Sequence, residues 1–501
     1  MKPQQDHSGL NASDISFSKA SSWSNRFDPV LAVAVLATWV TILPRLVPGR
    51  HSDRGVFVSV AERLLAGDTL YSGVYDNKEP LFYYFVASQL ALGSWAQVAA
   101  EAMVIAIAAA ATYVMAVKVA SRWTAVAISF ITVPITLTGA FYFPGYTELP
   151  GIALVLVAIA ASADERPLLA GSCMGLLVFV KLIFTPIALV GVSCFLLARR
   201  RSFDAPAIAL GALMSAVVVI GVLIVRGELT PFIETIKLNI AYSQGSVVSS
   251  KTGLASLAEH IRRIGPERLG RRAAPITLAI MLICITPLGK SAPRRLALAI
   301  VGTCAATFFC SLLVLSITCL WEQHLQIICI PSIVAALGLA PLLDSAANRV
   351  RLPTLGLVVI AGYLLAGTPN PAEYIRSFKG SYVSYVELTE LSPEAQRLLS
   401  IGDMGTYARF GTNDDQGHAA GLRRWKLACP RFHQYYFEPA VLLSQVFECA
   451  SMAPTLIISA GFGPNSTSSW NEFVARVEHL LEEKYSCDAG AGLRICTRHG
   501  A

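Results

Sequence analysis

Charge is scarce in this 501-residue chain: Asp, Glu, Lys and Arg make up only 15% of it, where soluble proteins carry about 25%. That shortage, with 54% hydrophobic residues and a mean hydropathy of +0.55, excludes a soluble globular protein and places most of the chain in a bilayer. No CxxC pair or His–Cys metal spacing occurs, so no structural zinc site is expected. No convincing internal repeat is present, against the pattern of many secondary transporters. No surface of interleaved basic and aromatic residues is found, so the net charge of +7 does not signal nucleic acid. The Ser-rich first 25 residues lack an apolar h-region, so they do not read as a signal peptide. Residues 1–27 are expected to be a disordered cytoplasmic tail.

What the chain does contain is a series of apolar runs parted by short loops. The basic residues gather in alternate loops: Lys118 and Arg122, Arg199 to Arg201, Lys290 with Arg294 and Arg295, and Arg349 with Arg351. That alternation reads as membrane orientation. The expected architecture is an all-α polytopic bundle of about eleven transmembrane helices over residues 28–366. The first span runs from Asp28 to Pro48. The second is Trp95–Val117, the third Trp123–Ala140 and the fourth Leu149–Ala161. Leu168–Val180, Leu182–Ala198 and Ala205–Val225 are the fifth to seventh. Pro275–Leu288 is the eighth, Leu296–Ile317 the ninth, a run from His324 to about Leu343 the tenth, and Thr354–Ala366 the eleventh. The outer loop 49–94 holds an amphipathic helix near Val56–Leu65 and a short apolar segment, Leu81–Leu92, placed at the outer surface.

Beyond Gly367 the apolar runs shorten and Gly, Ser, Asn, Asp and His rise. RLLSIGDMGTY reads as strand then turn, PTLIISAG as a buried strand, and WNEFVARVEHLLEEKY as an amphipathic helix. Residues 367–501 are expected to form a small exported α/β domain. It holds four of the eleven cysteines. An even number in an exported domain favours disulfides, and proximity in sequence pairs Cys429 with Cys449 and Cys487 with Cys496.

The stretch HSDRGVFVSVAERLLAGDTLYSGVYDNKEP, from His51 to Pro80, is the most informative. Asp53 sits just past the first span, and Asp76, Asn77, Lys78 and Glu79 form a second polar cluster about two dozen residues on. Ionisable groups at a membrane boundary are costly unless wet, paired or functional. With Glu148, Lys181 and His324 they fall on one side of the expected topology. Acids, lysines and an imidazole on one side suit transfer from an anionic phosphate donor. Each residue also has a structural alternative. Asp53 suits a helix cap, Lys78 and Lys181 suit interfacial anchors, Glu148 suits a helix N-terminus, and His324 suits a buried or interfacial imidazole.

Five fragments, in this order, resemble the GT-C class of membrane glycosyltransferases, in the branch of protein O-mannosyltransferases and lipid A aminoarabinose transferases. HSDRG resembles the acidic first-loop motif, and GDTLYSGVYDNKEPLFYY the "G-x-x-x-Y … D-x-K-P-P-L" signature. YTELPGIALVLVAIA resembles the acidic start of the fourth span. GLLVFVKLIFTPIALV resembles "G-L-x-x-x-x-K", and EQHLQIICIP resembles "H-Y-x-x-x-x-x-P". The resemblance implies transfer of a sugar from a polyprenyl-phosphate donor to an exported glycan, lipid or protein at the outer face, usually with inversion. It makes Asp53 the general base, with Glu148 orienting the acceptor or sugar. Lys78, Lys181, Arg54 and His324 become donor-phosphate groups, and Asp76, Glu79 and Tyr83 candidate substrate contacts. Arg54 stands where many relatives have a second acid, and Glu79 where the first of two prolines is common. No metal ligand set is assigned, and a divalent cation stays open as a cofactor. The setting implied is a bacterial inner membrane with the C-terminal domain outside. The rival class is a lipid-linked sugar flippase or secondary transporter.

Overall fold

In a computed structural model the chain is described over residues 52–93, 95–139, 145–245, 294–317 and 322–339. In its C-terminal part the description covers 397–398, 400, 405–411, 425–432, 434, 438, 440–459, 462–465, 467–490 and 492–500. The expected N-terminal tail and the first, eighth and eleventh spans lie outside the described residues.

The first described helix, α1 (Ser52–Leu65), is the expected amphipathic helix, one turn longer at its start. Asp53 therefore sits inside the first turn and not ahead of it as a cap, where its charge suits the positive helix end. A turn-rich segment leads to α2 (Pro80–Leu92), with proline at the helix start, where a missing N–H costs nothing.

Next come α3 (Trp95–Ala116), α4 (Arg122–Ala127) and α5 (Val133–Gly139), the last two joined by a π-helical turn over Ile128–Thr132. The expected single third span is thus interrupted. Pro134 cannot donate to the helical ladder, and the wider turn precedes it. Then follow α6 (Glu148–Ala163), α7 (Pro167–Val180), α8 (Thr185–Arg199), α9 (Ala205–Val225), α10 (Leu229–Gly245), α11 (Arg294–Ile317) and α12 (Cys329–Ala336). Among the described residues, four helical stretches are long and apolar enough to cross a membrane: Trp95–Ala116, Leu182–Arg199, Ala205–Val225 and Arg295–Ser316.

The centre of the bundle is α6. It is apolar around its circumference and almost wholly buried, as a helix enclosed on all sides must be, and it packs on α3, α7 and α8. Glycines bring α7 and α9 together. A Cβ on Gly171 would lie 1.9 Å from the Ile208 carbonyl oxygen, and one on Gly211 would lie 2.2 Å from the Leu168 carbonyl oxygen. Close backbone approach through small residues is how helices associate in lipid, where no hydrophobic drive exists between them. The other side of α9 presents exposed Leu213, Val217, Val218 and Val225, the surface expected to meet acyl chains.

The C-terminal part is a five-stranded sheet in the order β2-β1-β3-β5-β4. It comprises β1 (Thr406–Phe410), β2 (Lys426–Leu427), β3 (Thr455–Ser459), β4 (Tyr485–Gly490) and β5 (Leu493–Arg498), with helices α13 (Ala440–Ala450) and α14 (Ser468–Lys484). β1 runs parallel to β2 and β3, and the β4–β5 hairpin adds antiparallel to β3. The buried strand and the amphipathic helix read from the sequence are β3 and α14. α14 buries Trp470, Phe473, Val474, Val477, Leu480 and Leu481, a helical 3–4 spacing. The strand expected from RLLSIGDMGTY starts later. Arg397, Leu398 and Ser400 are helical, and β1 begins at Thr406. Tyr407 to Phe410 are all buried, so the central parallel strand is set by two-sided burial.

One of the two expected disulfides is formed. Cys487 and Cys496 face each other across β4 and β5 and are bonded. Cys429 and Cys449 remain thiols. They hydrogen-bond to each other, and the Cys449 Sγ also donates to the Ala428 carbonyl at 3.4 Å. Closeness in sequence brought that pair side by side without a bond.

The sheet meets α1 and the loop that follows it. One apolar cluster joins Val56, Phe57, Leu70 and Val74 to Tyr407, Trp425, Phe432, Ile457 and Ile495. Polar contacts reinforce it. The Arg63 Nη1 donates to the Trp425 carbonyl at 2.6 Å, and the Tyr75 amide donates to the Pro430 carbonyl at 2.9 Å. The Arg431 guanidinium lies 3.7 Å from the centre of the Tyr75 ring, a cation–π contact.

Candidate active site

The charges singled out in the sequence converge where α1, α6, the end of α7 and the turn before α12 meet. α7 stops at Val180. Lys181 takes an extended conformation (φ −164°, ψ 92°), and a short 3₁₀ turn, Leu182–Phe184, precedes α8. Such a break frees backbone amides in an apolar setting, where each needs a partner. Glu79 supplies one, its Oε1 accepting from the Leu182 amide at 2.9 Å. The loop before α2 is thereby tied to the helix break, and Glu79 is a strut between them.

Lys181 turns inward from the break. Its Nζ lies 3.2 Å from Oε1 of Glu148, the first residue of α6. Both are buried, at 6% and 1% exposure. The other Glu148 oxygen accepts from the Thr147 hydroxyl at 3.2 Å, and His324 Nε2 approaches Oε1 at 3.7 Å. Buried ions must be paired and hydrogen-bonded, and this carboxylate is held from three directions.

Lys78 comes from the loop. The Tyr71 hydroxyl donates to its carbonyl at 2.8 Å, and Asn239 of α10 donates to the Asn77 carbonyl at 2.7 Å. The Lys78 Nζ donates to the Asn77 Oδ1 at 2.7 Å and lies 5.7 Å from the centre of the Phe57 ring. No carboxylate lies within ion-pair distance of Lys78 among the described residues, yet its charge bears on Glu148. Asp53 and Glu79 in turn bear on Lys181. Asp53, Lys78, Glu148, Lys181 and His324 thus form one gathering.

Arg54 points elsewhere. Successive helix residues are turned by about 100°, and its guanidinium donates to Gln97 of α3. It lies over Gly145, where a Cβ would meet the Arg54 Cδ and Nε at 3.1 Å. The Gly145 amide donates to Glu101 Oε1 at 3.1 Å. These groups line a cavity of about 10 Å³ with Phe57 and Val86, room for about one water. Asp76 and Tyr83 are buried and hydrogen-bonded to each other, with the Tyr83 ring centroid 6.3 Å from that of Phe57.

Two residues passed over in the sequence belong to the surroundings. Glu228, fully buried after α9, accepts from the Leu70 amide at 2.9 Å, from the Tyr84 hydroxyl, and from Arg226 Nε at 3.0 Å. It anchors the loop that carries Lys78. Tyr146 lies in the turn before α6, is 6% exposed, and packs edge-on against Phe57 with centroids 5.5 Å apart. Its hydroxyl hydrogen-bonds Asp53. Burial, and after it the Asp53 charge, pushes the phenol's proton affinity up, so Tyr146 is the donor. Among the described residues no group of three or more His, Cys, Asp or Glu is arranged to hold a metal ion.

No family model and no curated protein matches this sequence. Among solved structures it is similar to ArnT from Cupriavidus metallidurans bound to undecaprenyl phosphate. The TM-score is 0.56 at 12% identity, over 94% of this chain and 98% of that one. Weaker likenesses are to the oligosaccharyltransferase AglB from Archaeoglobus fulgidus, in complex with an inhibitory peptide and a dolichol-phosphate, and to the arabinosyltransferase EmbB from Mycobacterium smegmatis. Their TM-scores are 0.46 and 0.40, at 10% and 13% identity. They cover 94% and 76% of this chain, and 74% and 43% of their own. The chain has the fold of the GT-C class.

Proposed function

We propose that this protein is a GT-C glycosyltransferase that moves a sugar from a polyprenyl-phosphate donor to an exported acceptor at the outer face of the membrane. The observation that carries this reading is Lys78: an ammonium with no acidic partner among the described residues, beside a buried Lys181–Glu148 pair. A cation left uncompensated next to a buried ion pair is suited to an incoming phosphate. The same site lies at one end of a helical bundle, which fits one-sided chemistry better than alternating access.

In the proposed reaction the acceptor hydroxyl gives its proton to the Asp53 carboxylate as its oxygen attacks the anomeric carbon. The bond from that carbon to the phosphate oxygen breaks, and the polyprenyl phosphate leaves with the electron pair. Attack from the face opposite the phosphate inverts the anomeric centre. A positioned base contributes about 10²–10⁴-fold. Lys78 meets the charge that grows on the leaving phosphate. Lys181, held by Glu148, supplies a fixed dipole whose positive end faces the same region, and His324 adds a donor. The polyprenyl tail stays in lipid while its headgroup reaches the site past α1. Under this reading residues 28–366 are the catalytic membrane part, 367–501 an exported domain, and the setting a bacterial inner membrane.

The test is incubation of the purified protein, in lipid nanodiscs, with radiolabelled polyprenyl-phosphate sugars and candidate membrane acceptors. Labelled acceptor should appear with one donor. Asp53→Asn should abolish transfer while donor binding survives, and Lys78→Met should weaken donor binding. Movement of donor across proteoliposomes with no labelled product would instead make the protein a transporter.

A further inference from the structure

We propose that Tyr146 is a positioning residue for Asp53: its hydroxyl, fixed by the Gly145 turn, holds the carboxylate in the orientation that receives the acceptor proton. This rests on the reading of Asp53 as the base. The geometry is built around Phe57. On α1 that ring lies four residues after Asp53, so both share one helix face. Two groups approach the ring from other elements: the Lys78 Nζ at 5.7 Å, and the edge-on Tyr146 ring at 5.5 Å. Phe57 therefore sets the base, the Lys78 cation and the phenol around a common centre. The Tyr146 hydroxyl reaches the Asp53 carboxylate and donates to it.

The backbone that carries Tyr146 is fixed from behind. Gly145 is left-handed (φ +80°), its amide is held by Glu101, and the Arg54 side chain covers the space a Cβ would take. Arg54, next to the base in sequence, thus packs on the turn behind the phenol. On the other side of Tyr146, Thr147 and Glu148 lead into the buried ion pair. One four-residue turn links the orientation of the base to the placement of the Lys181 cation. A carboxylate with two free torsions and no donor would sample orientations that cannot take the proton. One charge-assisted hydrogen bond removes that freedom.

The test is Tyr146→Phe in the full-length protein in nanodiscs, which keeps the ring and its Phe57 contact and removes only the hydroxyl. The expected result is a fall in kcat of about ten- to hundredfold, the size of one hydrogen bond to a charged group. The KM for the donor should stay within about twofold, because the phosphate contacts are intact, and the unfolding midpoint should fall by no more than the loss of one hydrogen bond explains. Asp53→Asn is run beside it. Wild-type kcat in Y146F, or an equal loss of kcat and donor affinity, overturns the proposal while leaving the base intact. Full activity in D53N instead removes the base, and the positioning role with it.

Discussion

Replacing Lys181 by Met exposes the cost of a buried carboxylate without its counterion. At 3.2 Å, the gross attraction between the two charges is about 5 kcal/mol at an effective dielectric of about 20. Both ends pay desolvation to be there, so the net worth of the pair is far smaller. Removing one end is different, because the other stays buried and charged, and such single removals cost about 3–5 kcal/mol. Glu148 would keep the Thr147 hydroxyl at 3.2 Å and His324 at 3.7 Å, which favours the lower end of that range. Lys181→Met is therefore expected to destabilise by about 3 kcal/mol. Adding Glu148→Gln should restore about 2 kcal/mol of it, since a neutral amide needs no cation. The assay is equilibrium unfolding in mixed micelles of the wild type, both single variants and the double variant. A coupling energy below about 0.5 kcal/mol would refute the idea that these side chains act as a unit.

Other parts of the molecule give equally direct outcomes. Gly171→Val should force α7 and α9 apart, because even a Cβ would sit 1.9 Å from the Ile208 carbonyl; a loss of more than about 3 kcal/mol in the same assay, or failure to purify as a single species, checks it. Replacing Cys487 and Cys496 by Ser opens a link spanning nine residues of sequence separation and should cost about 2–3 kcal/mol, seen as faster amide exchange in β4 and β5. Glu478 is held below the usual carboxylate range by its two hydrogen bonds from Arg494 at 2.6 and 2.8 Å. A depressed acid contributes stability above its unfolded titration range and loses it as pH falls through its folded one. The pair should therefore stabilise β5 against α14 at neutral pH and lose that contribution as the pH falls below the ordinary glutamate range. The effect should stay under about 1 kcal/mol for so exposed a pair. Amide exchange at Arg494 in wild type and Glu478→Gln, compared at pH 7 and pH 3.5, reads it.

The parts legible in the sequence were those written in composition and period. The seventh span was read as Ala205–Val225 and is α9, because arginine and glycine end an unbroken apolar run. Glu148 and Lys181 stood out because ionisable residues beside apolar runs are rare. What they contact was not legible: their ion pair joins the start of one helix to the end of another. Tyr146 was hidden in FYFPGYTE among other aromatics, and its role follows only from Phe57 lying one turn beyond Asp53. Arg54 was assigned to phosphate because it stands where relatives carry a second acid, and its contact with Gln97 on another helix was not legible. Glu228 drew no reading from the sequence, and burial with three donors makes it an anchor. The β4–β5 hairpin escaped notice because β4 is almost wholly exposed after Tyr485 and has no alternating apolar pattern.

The grip of Trp425, Pro430 and Arg431 on residues 63–75 has a consequence for biosynthesis. The ribosome makes the gripped loop some 350 residues before the segment that braces it. Every ion in the gathering is in place once residue 324 has been translated, but the brace is not. A nascent or prematurely terminated chain would carry the charges without the contacts that Trp425, Pro430 and Arg431 make to the loop.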